Sequence, residues 1–305
     1  MKKFKNDFSW SFSRSRMYNE CPKKYYLYYY GSNNGWDKNA DEKTKKIYLL
    51  KKITNRFFLS GSMVHSMIEQ ILKNHIDGIE TPIDRAKDFL IRQLKNAYKE
   101  SITQEWKLNL KKCNLQEHYF NHNITDQQWV NFRESAVNCL ESFYVSDEYK
   151  KILSIPTNDW ITIESLDSFN YFDTKIYASP DFAYKENDSI KIIDWKTGKP
   201  SANDEVQLLS YAVYGHHKWD VDYSQLELSD VYLKNNTSID AENLEEKIPV
   251  IESVIQTSIL EMKSLLDDVE NNTAIESNFE MTANQSTCKY CNFKEICHPN
   301  NYEEL

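Results

Sequence analysis

Two aspartates and a lysine carry the most informative chemistry in this chain. Pro180-Asp181 is followed, after twelve intervening residues, by Asp194-Trp195-Lys196. Paired carboxylates suit a hard divalent cation such as Mg²⁺ or Mn²⁺, which prefers oxygen ligands. Such an ion lowers the pKa of bound water and polarises a phosphoryl oxygen, and a nearby ammonium can orient that water or neutralise developing charge. The set therefore suits phosphodiester hydrolysis. Asp-x-Lys alone is also a common surface ion pair on an exposed strand. Here Ile190, Ile192 and Ile193 precede Asp194, which points to a buried strand, where charges need partners. Alternate side chains of a strand share a face, so Asp194 and Lys196 should point the same way. A turn at Asn187-Asp188 would bring Asp181 beside Asp194 on the adjacent strand.

The chain has six cysteines, and three of them, Cys288, Cys291 and Cys297, form C-x₂-C-x₅-C. Three thiolates this close in a turn can grip one metal centre, with Cys21 as the fourth ligand from far upstream. Four thiolates suit either Zn²⁺ or a 4Fe–4S cluster. Zinc sites usually pair two short hairpins with two cysteines each, and one distant plus three close cysteines departs from that spacing. Cys113 and Cys139 fall in stretches expected to be helical and read as plain core or surface residues.

These groups need a scaffold. Residues 13–30 read as one tyrosine-rich helix capped by Ser11 or Ser13, and residues 31–40 as a loop. Met63, Met67, Ile68, Ile71 and Leu72 recur at helical spacing over residues 61–75. Two more helices are expected over roughly 83–108 and 125–145. Beyond Pro156 the period changes to two. Strands are expected at 160–166, 171–178, 181–184 and 190–196, then a helix at 203–218, a strand at 226–233 and a helix at 241–268. From about residue 281 the tail is irregular and cysteine-rich. This order implies a mixed α/β (α+β) fold, a mixed sheet flanked by helices. The expected divisions are a helical N-terminal part at 1–155 with the basic segment and His65, a core at 156–280, and a Cys-rich tail at 281–305 closing onto Cys21.

Charge is uneven. Residues 1–60 hold 14 Lys and Arg against 5 Asp and Glu, although the whole chain has a formal net charge of −9. Local phosphate contacts, not net charge, govern binding to nucleic acid, so the basic end could hold a strand; it could equally be a solvated lysine-rich face. Most of the tyrosines read as core, and some could stack on bases. No apolar run of about 18 residues occurs, so no membrane span is expected. The basic start has no apolar stretch behind it, which predicts no export signal and a reducing, cytoplasmic setting.

The motifs together resemble the PD-(D/E)XK nucleases of the RecB type. Ser179-Pro180-Asp181 with Ile192-Ile193-Asp194-Trp195-Lys196-Thr197-Gly198 is similar to the family's catalytic strands. Gly61-Ser62-Met63-Val64-His65 with Glu69 resembles its metal-histidine helix, and Gln207-Leu208-Leu209-Ser210-Tyr211 its Gln-x-x-x-Tyr motif. Ser11 to Arg16 and Cys21-Pro22-Lys23-Lys24-Tyr25 resemble the N-terminal cysteine segment of its iron–sulfur members, which include CRISPR-adaptation nucleases and AddB-type helicase–nuclease subunits. The matches run in family order over nearly the whole chain. One departure is Tyr177-Ala178-Ser179-Pro180, where the family usually has a glycine. The resemblance implies a restriction-endonuclease-like fold. It implies a metal held by His65, Asp181, Asp194 and the Trp195 carbonyl, Lys196 as catalytic lysine, and Gln207 and Tyr211 as active-site or substrate contacts. It favours 4Fe–4S over zinc at Cys21, Cys288, Cys291 and Cys297. Glu69 could orient His65 or face solvent, and Glu164 is a weaker candidate for carboxylate support.

The expected function is a metal-dependent DNA nuclease, single-strand or end-directed, in repair, recombination or CRISPR and phage DNA processing. The alternative is a non-catalytic DNA-binding scaffold in a larger complex. Without a G-x-x-x-x-G-K-[ST] motif, unwinding would need a helicase or recombination partner.

Overall fold

The computed structural model describes residues 7–304; the basic stretch 1–6 lies outside them. After a short strand β1 (Ser9–Trp10) come α1 (Phe12–Glu20) and α2 (Pro22–Tyr26). The single helix expected over residues 13–30 is thus two, broken at Cys21, which is extended at φ −167° and ψ 112°. Pro22 is the cause. Its ring disfavours the α region for the residue before it, yet it is tolerated at the first position of a new helix. The break turns Cys21 out of the helical run. A π turn at Leu27–Gly31 follows.

Helices α3 (Glu42–Lys51), α4 (Arg56–Ile76), α5 (Ile83–Ile102), α6 (Gln116–Tyr119), α7 (Asp126–Val145) and α8 (Asp147–Ser154) complete the first half. The helix expected to reach residue 108 stops at Ile102, because Gln104 turns left-handed at φ 57°. Cys113 stands in irregular chain and not in a helix, whereas Cys139 is buried on α7.

Strands β2 (Trp160–Ile163), β3 (Asp167–Tyr171), β4 (Thr174–Ala178), β5 (Phe182–Glu186) and β6 (Ser189–Lys196) follow, then α9 (Ala202–Trp219), β7 (Leu226–Tyr232), β8 (Thr237–Asp240) and α10 (Leu244–Ser264). The strand expected at 171–178 is really the tip and second arm of a hairpin. Phe172 and Asp173 take φ 48° and 47°, the double left-handed turn of a tight hairpin, without the Asn-Gly pair that usually marks it. Strand β8 was not expected; it is an exposed edge paired to β7. The short pair β9 (Leu266–Asp268) and β10 (Thr273–Ala274) leads to α11 (Gln285–Lys289) and α12 (Lys294–Cys297).

The main sheet has the order β2-β5-β6-β7-β8, with β6 and β7 parallel and the other pairs antiparallel; β1-β4-β3 form a second sheet. The mixed sheet flanked by helices is the restriction-endonuclease-like architecture that the resemblance implies. Period two sorts the side chains. Ala183, Ile192 and Leu228 pack on one face with α9 and α10, while Phe182, Ile193, Trp195 and Val231 pack on the other with α4, α5 and α7. Among the described residues no helix is long and apolar enough to cross a membrane.

Candidate metal and phosphodiester site

The two aspartates meet through strand register. The Asn187-Asp188 turn sets β5 antiparallel to β6 with Phe182 opposite Ile193, so Asp181 stands beside Asp194 one step further on. Both carboxylates are buried, at 6% and 3% exposure. An Asp181 oxygen accepts the Trp195 N–H at 2.6 Å, which clamps the approach to β5 against β6. Trp195 itself is a core side chain, edge-on to Phe143, and only its backbone faces this region.

His65 arrives from α4. Gly61, one turn earlier, lets the helix close on the end of β6: a Cβ there would stand 3.0 Å from Thr197 Oγ1. His65 Nδ1 lies 3.0 Å from Glu164 Oε1 and 3.3 Å from Asp181 Oδ2. Glu164 follows β2 in the left-handed region at φ 47°, and its N–H donates to the Asp181 carbonyl at 2.9 Å. A non-glycine residue held there is strained and persists only where its surroundings fix it. The ligand atoms of His65, Glu164 and Asp181 all lie within 4.8 Å of one another. Asp194 falls outside this triad, its carboxylate turned to Lys196. Glu164, the weaker candidate in sequence, falls inside. Glu69 instead pairs with Lys73 at 2.6 Å.

Lys196 lies on the same strand face as Asp194, with Nζ 2.6 Å from Asp194 Oδ2, 3.5 Å from Asp230 Oδ1 and 4.0 Å from Asp204 Oδ1. Nζ also donates to Gln207 Oε1 at 2.9 Å. Gln207 Nε2 donates to the Tyr211 hydroxyl at 2.9 Å, and that hydroxyl donates to the Ser179 carbonyl at 3.1 Å. One chain of bonds thus runs from the lysine along α9 to the segment that stands in place of the family's glycine.

Burial opposes the charge on Lys196, but Asp194 and Asp230 outweigh it and hold the pKa above the ordinary lysine value. The group is a fixed cation, not a base. Burial likewise opposes protonation of His65, and Asp181 and Glu164 override it, holding its pKa well above the ordinary value. Burial, then the neighbouring Asp194, raises Asp181. Burial pushes Asp230 up to about 7, against the pull of Lys196.

A family model for the PD-(D/E)XK nuclease superfamily matches residues 9–298, almost the full span of this architecture. The chain belongs to this superfamily. A search of curated proteins finds no match. PD-(D/E)XK nucleases use divalent metals such as Mg²⁺ and Mn²⁺, and the donor set fits one: two carboxylates and an imidazole converge at the floor of a cavity of about 1200 Å³.

Asp230 and Asp204 escaped the sequence reading. The signal for Asp230 was present: in Leu226-Glu227-Leu228-Ser229-Asp230-Val231-Tyr232 it shares the alternation of Leu226 and Leu228, unlike the exposed Glu227, and it pairs in register with Asp194. Asp204 also caps α9, accepting from the Ser201 N–H at 2.9 Å, so in sequence it reads only as a helix start.

The four cysteines expected to act together do meet. Cys21, Cys288, Cys291 and Cys297 line one small cavity between the α1–α2 break and the tail. The Thr282 and Phe293 N–H groups each donate to a sulfur, Cys21 and Cys291 respectively, at 3.4 Å. Burial pushes Cys291 up to about 11; burial and then the other thiols push Cys297 up to about 12. His298 Nε2 is buried nearby without a partner. Phe293 packs with Leu27, Ile47, Leu50 and Ile53, so apolar contact also joins the two ends. Of the N-terminal tyrosines, Tyr25 is core, and Tyr29 lies under the Arg14 guanidinium at 4.5 Å.

Proposed function

We propose that the chain is a metal-dependent deoxyribonuclease of the RecB type, acting on single strands or free ends as an exonuclease in DNA repair, recombination or CRISPR and phage DNA processing. The observation that carries the reading is the meeting of His65, Glu164 and Asp181 beside the Asp194–Lys196 pair, at the floor of one open cavity. His65 and Asp181 would hold the cation with Asp194 completing the set, and Glu164 is a further ligand by its position. A residue's N–H and C=O face the same neighbour in an antiparallel strand, so the Trp195 carbonyl, like its N–H, looks toward Asp181. A bound divalent cation would supply an activated water and polarise the scissile phosphate.

The protein's own part is electrostatic and positional. Lys196 stays charged and offsets negative charge growing on phosphate oxygens. Gln207 and Tyr211 hold its ammonium in place. Arg14 and Arg16 line the same cavity and suit flanking phosphates. The intact set of Asp181, Asp194 and Lys196 supports catalysis over a purely scaffolding role.

At the cysteines we propose a structural 4Fe–4S cluster. Four thiols at one cavity and backbone N–H groups already directed at two sulfurs fit thiolate ligation and its tuning by hydrogen bonds. The cluster would fasten the basic N-terminal helices to the tail. A helicase or recombination protein would supply unwinding.

The test is anaerobic purification with iron and sulfide analysis, then cleavage of labelled single- and double-stranded DNA with Mn²⁺. Wild type should be brown and active, and Asp194→Ala inactive. Equal cleavage by the variant would sink the site assignment, and a colourless zinc protein the cluster.

A further inference from the structure

Phe57 and Phe58 belong neither to the core clusters nor to the metal and lysine groups. They open α4, the helix that delivers His65, and are 67% and 65% exposed. The apolar stripe of that helix, Val64, Met67, Ile68, Ile71 and Leu72, is buried further along it, and the packing that covers those residues does not reach the two rings at its start. Two adjacent phenylalanines in water are not core residues, and both line the rim of the cavity whose floor holds His65 and Asp181.

Their backbone is held firmly. Asn55 Oδ1 accepts from the N–H groups of Phe57 and Phe58 at 3.0 and 2.9 Å. The Arg56 N–H donates to Glu117 at 3.1 Å, and the Arg56 guanidinium lies 4.6 Å over the Phe57 ring. The rings are presented from a capped helix start, so little ordering remains for a ligand to impose.

The rest of the rim is mainly basic. Arg14, Arg16, Lys175 and Lys199 line the same cavity with one exposed carboxylate, Asp7, whereas Glu164, Asp181, Asp194 and Asp204 are more deeply set. Cations above an acidic, metal-suited floor match a chain of phosphates with one drawn down to the site. Flat apolar rings on the rim match nucleobases, but only unpaired ones, because bases within a duplex already spend both faces on their neighbours. We propose that Phe57 and Phe58 are a base-stacking platform that selects a single strand of nucleic acid and seats its bases at the mouth of the active-site cavity. This rests on the nuclease reading above and adds which strand state is taken and which residues choose it.

The test compares Phe57→Ala/Phe58→Ala with Phe57→Tyr/Phe58→Trp, each in the Asp194→Ala protein to prevent cleavage. Fluorescence anisotropy measures binding to a labelled oligothymidylate, to a strand of equal length lacking bases, and to a duplex. The alanine pair should weaken oligothymidylate binding about 10- to 100-fold, as loss of base–aromatic stacking does. It should leave the base-free strand within about twofold, and the aromatic pair should bind like the parent. An alanine pair that binds oligothymidylate as the parent does, or that loses the base-free strand equally, overturns the platform. So does light scattering showing a wild-type dimer that the alanine pair dissociates, which would make the rings a contact between copies. Wild-type cleavage with Mn²⁺ and no ring dependence refutes the platform alone. Ring-dependent binding by a wild-type protein that does not cleave refutes the nuclease reading alone.

Discussion

Replacing Lys196 by Met keeps the aliphatic stem and removes the ammonium. The group it leaves behind is unusual. Asp194 and Asp230 lie directly opposite on parallel strands at 3% exposure each, with Asp204 close by, and the Lys196 ammonium lies within 4.0 Å of all three. Deleting one partner of a buried pair destabilises by about 3–5 kcal/mol because the remaining charge is uncompensated. Asp230 offers relief, since burial has pushed it up to about 7 and it can take a proton. A carboxylate with a raised folded-state pKa favours folding at low pH and loses that contribution as pH rises through the folded value. Without the lysine the value climbs further, and each added unit is worth about 1.4 kcal/mol at pH above it. The destabilisation should therefore be about 2 kcal/mol at pH 6 and about 4 kcal/mol at pH 8.5. Urea unfolding followed by tryptophan fluorescence, to which the buried Trp195 contributes, measures it. Adding Asp230→Asn should restore about 1–3 kcal/mol at pH 8.5, a coupling typical of groups in one network, without restoring cleavage. A penalty identical at both pH values, or no recovery in the double variant, would refute this account of the carboxylate nest.

Three further outcomes follow from the same geometry. His65 is held protonated by Asp181 and Glu164 and must lose that proton to bind a cation, so Mn²⁺ affinity should rise with pH between 6 and 8.5 and binding should release protons; calorimetry in two buffers checks this, and a flat profile would count against His65 as a ligand. Tyr211→Phe cuts the bonds to Ser179 and Gln207 that steady Lys196, so kcat should fall about 10- to 100-fold with KM little changed; a change confined to KM would make Tyr211 a substrate contact. Cys291→Ala should lose iron and about 2–4 kcal/mol of stability, as the opening of a long cross-linked loop does, while folded protein still cleaves with Mn²⁺; loss of cleavage with cluster and fold intact would give the cluster a catalytic role.

Much of the site was legible because its signals are local. Asp194 and Lys196 share a strand face by period two, and Gln207 and Tyr211 share a helix face at i,i+4. Cys21 was legible by residue type, although Pro22 breaks the helix expected to carry it. Hairpin β3–β4 was missed because Phe172-Asp173 makes a left-handed turn that their side chains do not advertise, and β8 because it is a fully exposed edge with no buried face to impose alternation.

The sequence by itself determined which residues could do chemistry and, through periodicity, which neighbours they face along one element. Beyond the Asp181–Asp194 pair, which the Asn187-Asp188 turn already suggested, tertiary structure decided which groups of the carboxylate–lysine site meet between elements. Register across the Asn187-Asp188 turn put Asp181 against Asp194, the parallel pairing of β6 with β7 brought Asp230 to Lys196, and the close fit of Gly61 on Thr197 delivered His65 to Glu164. Those encounters join residues 13, 34 and 99 positions apart. They are fixed by sheet pairing and helix packing, whose energies come from the whole core and not from the residues that do the work.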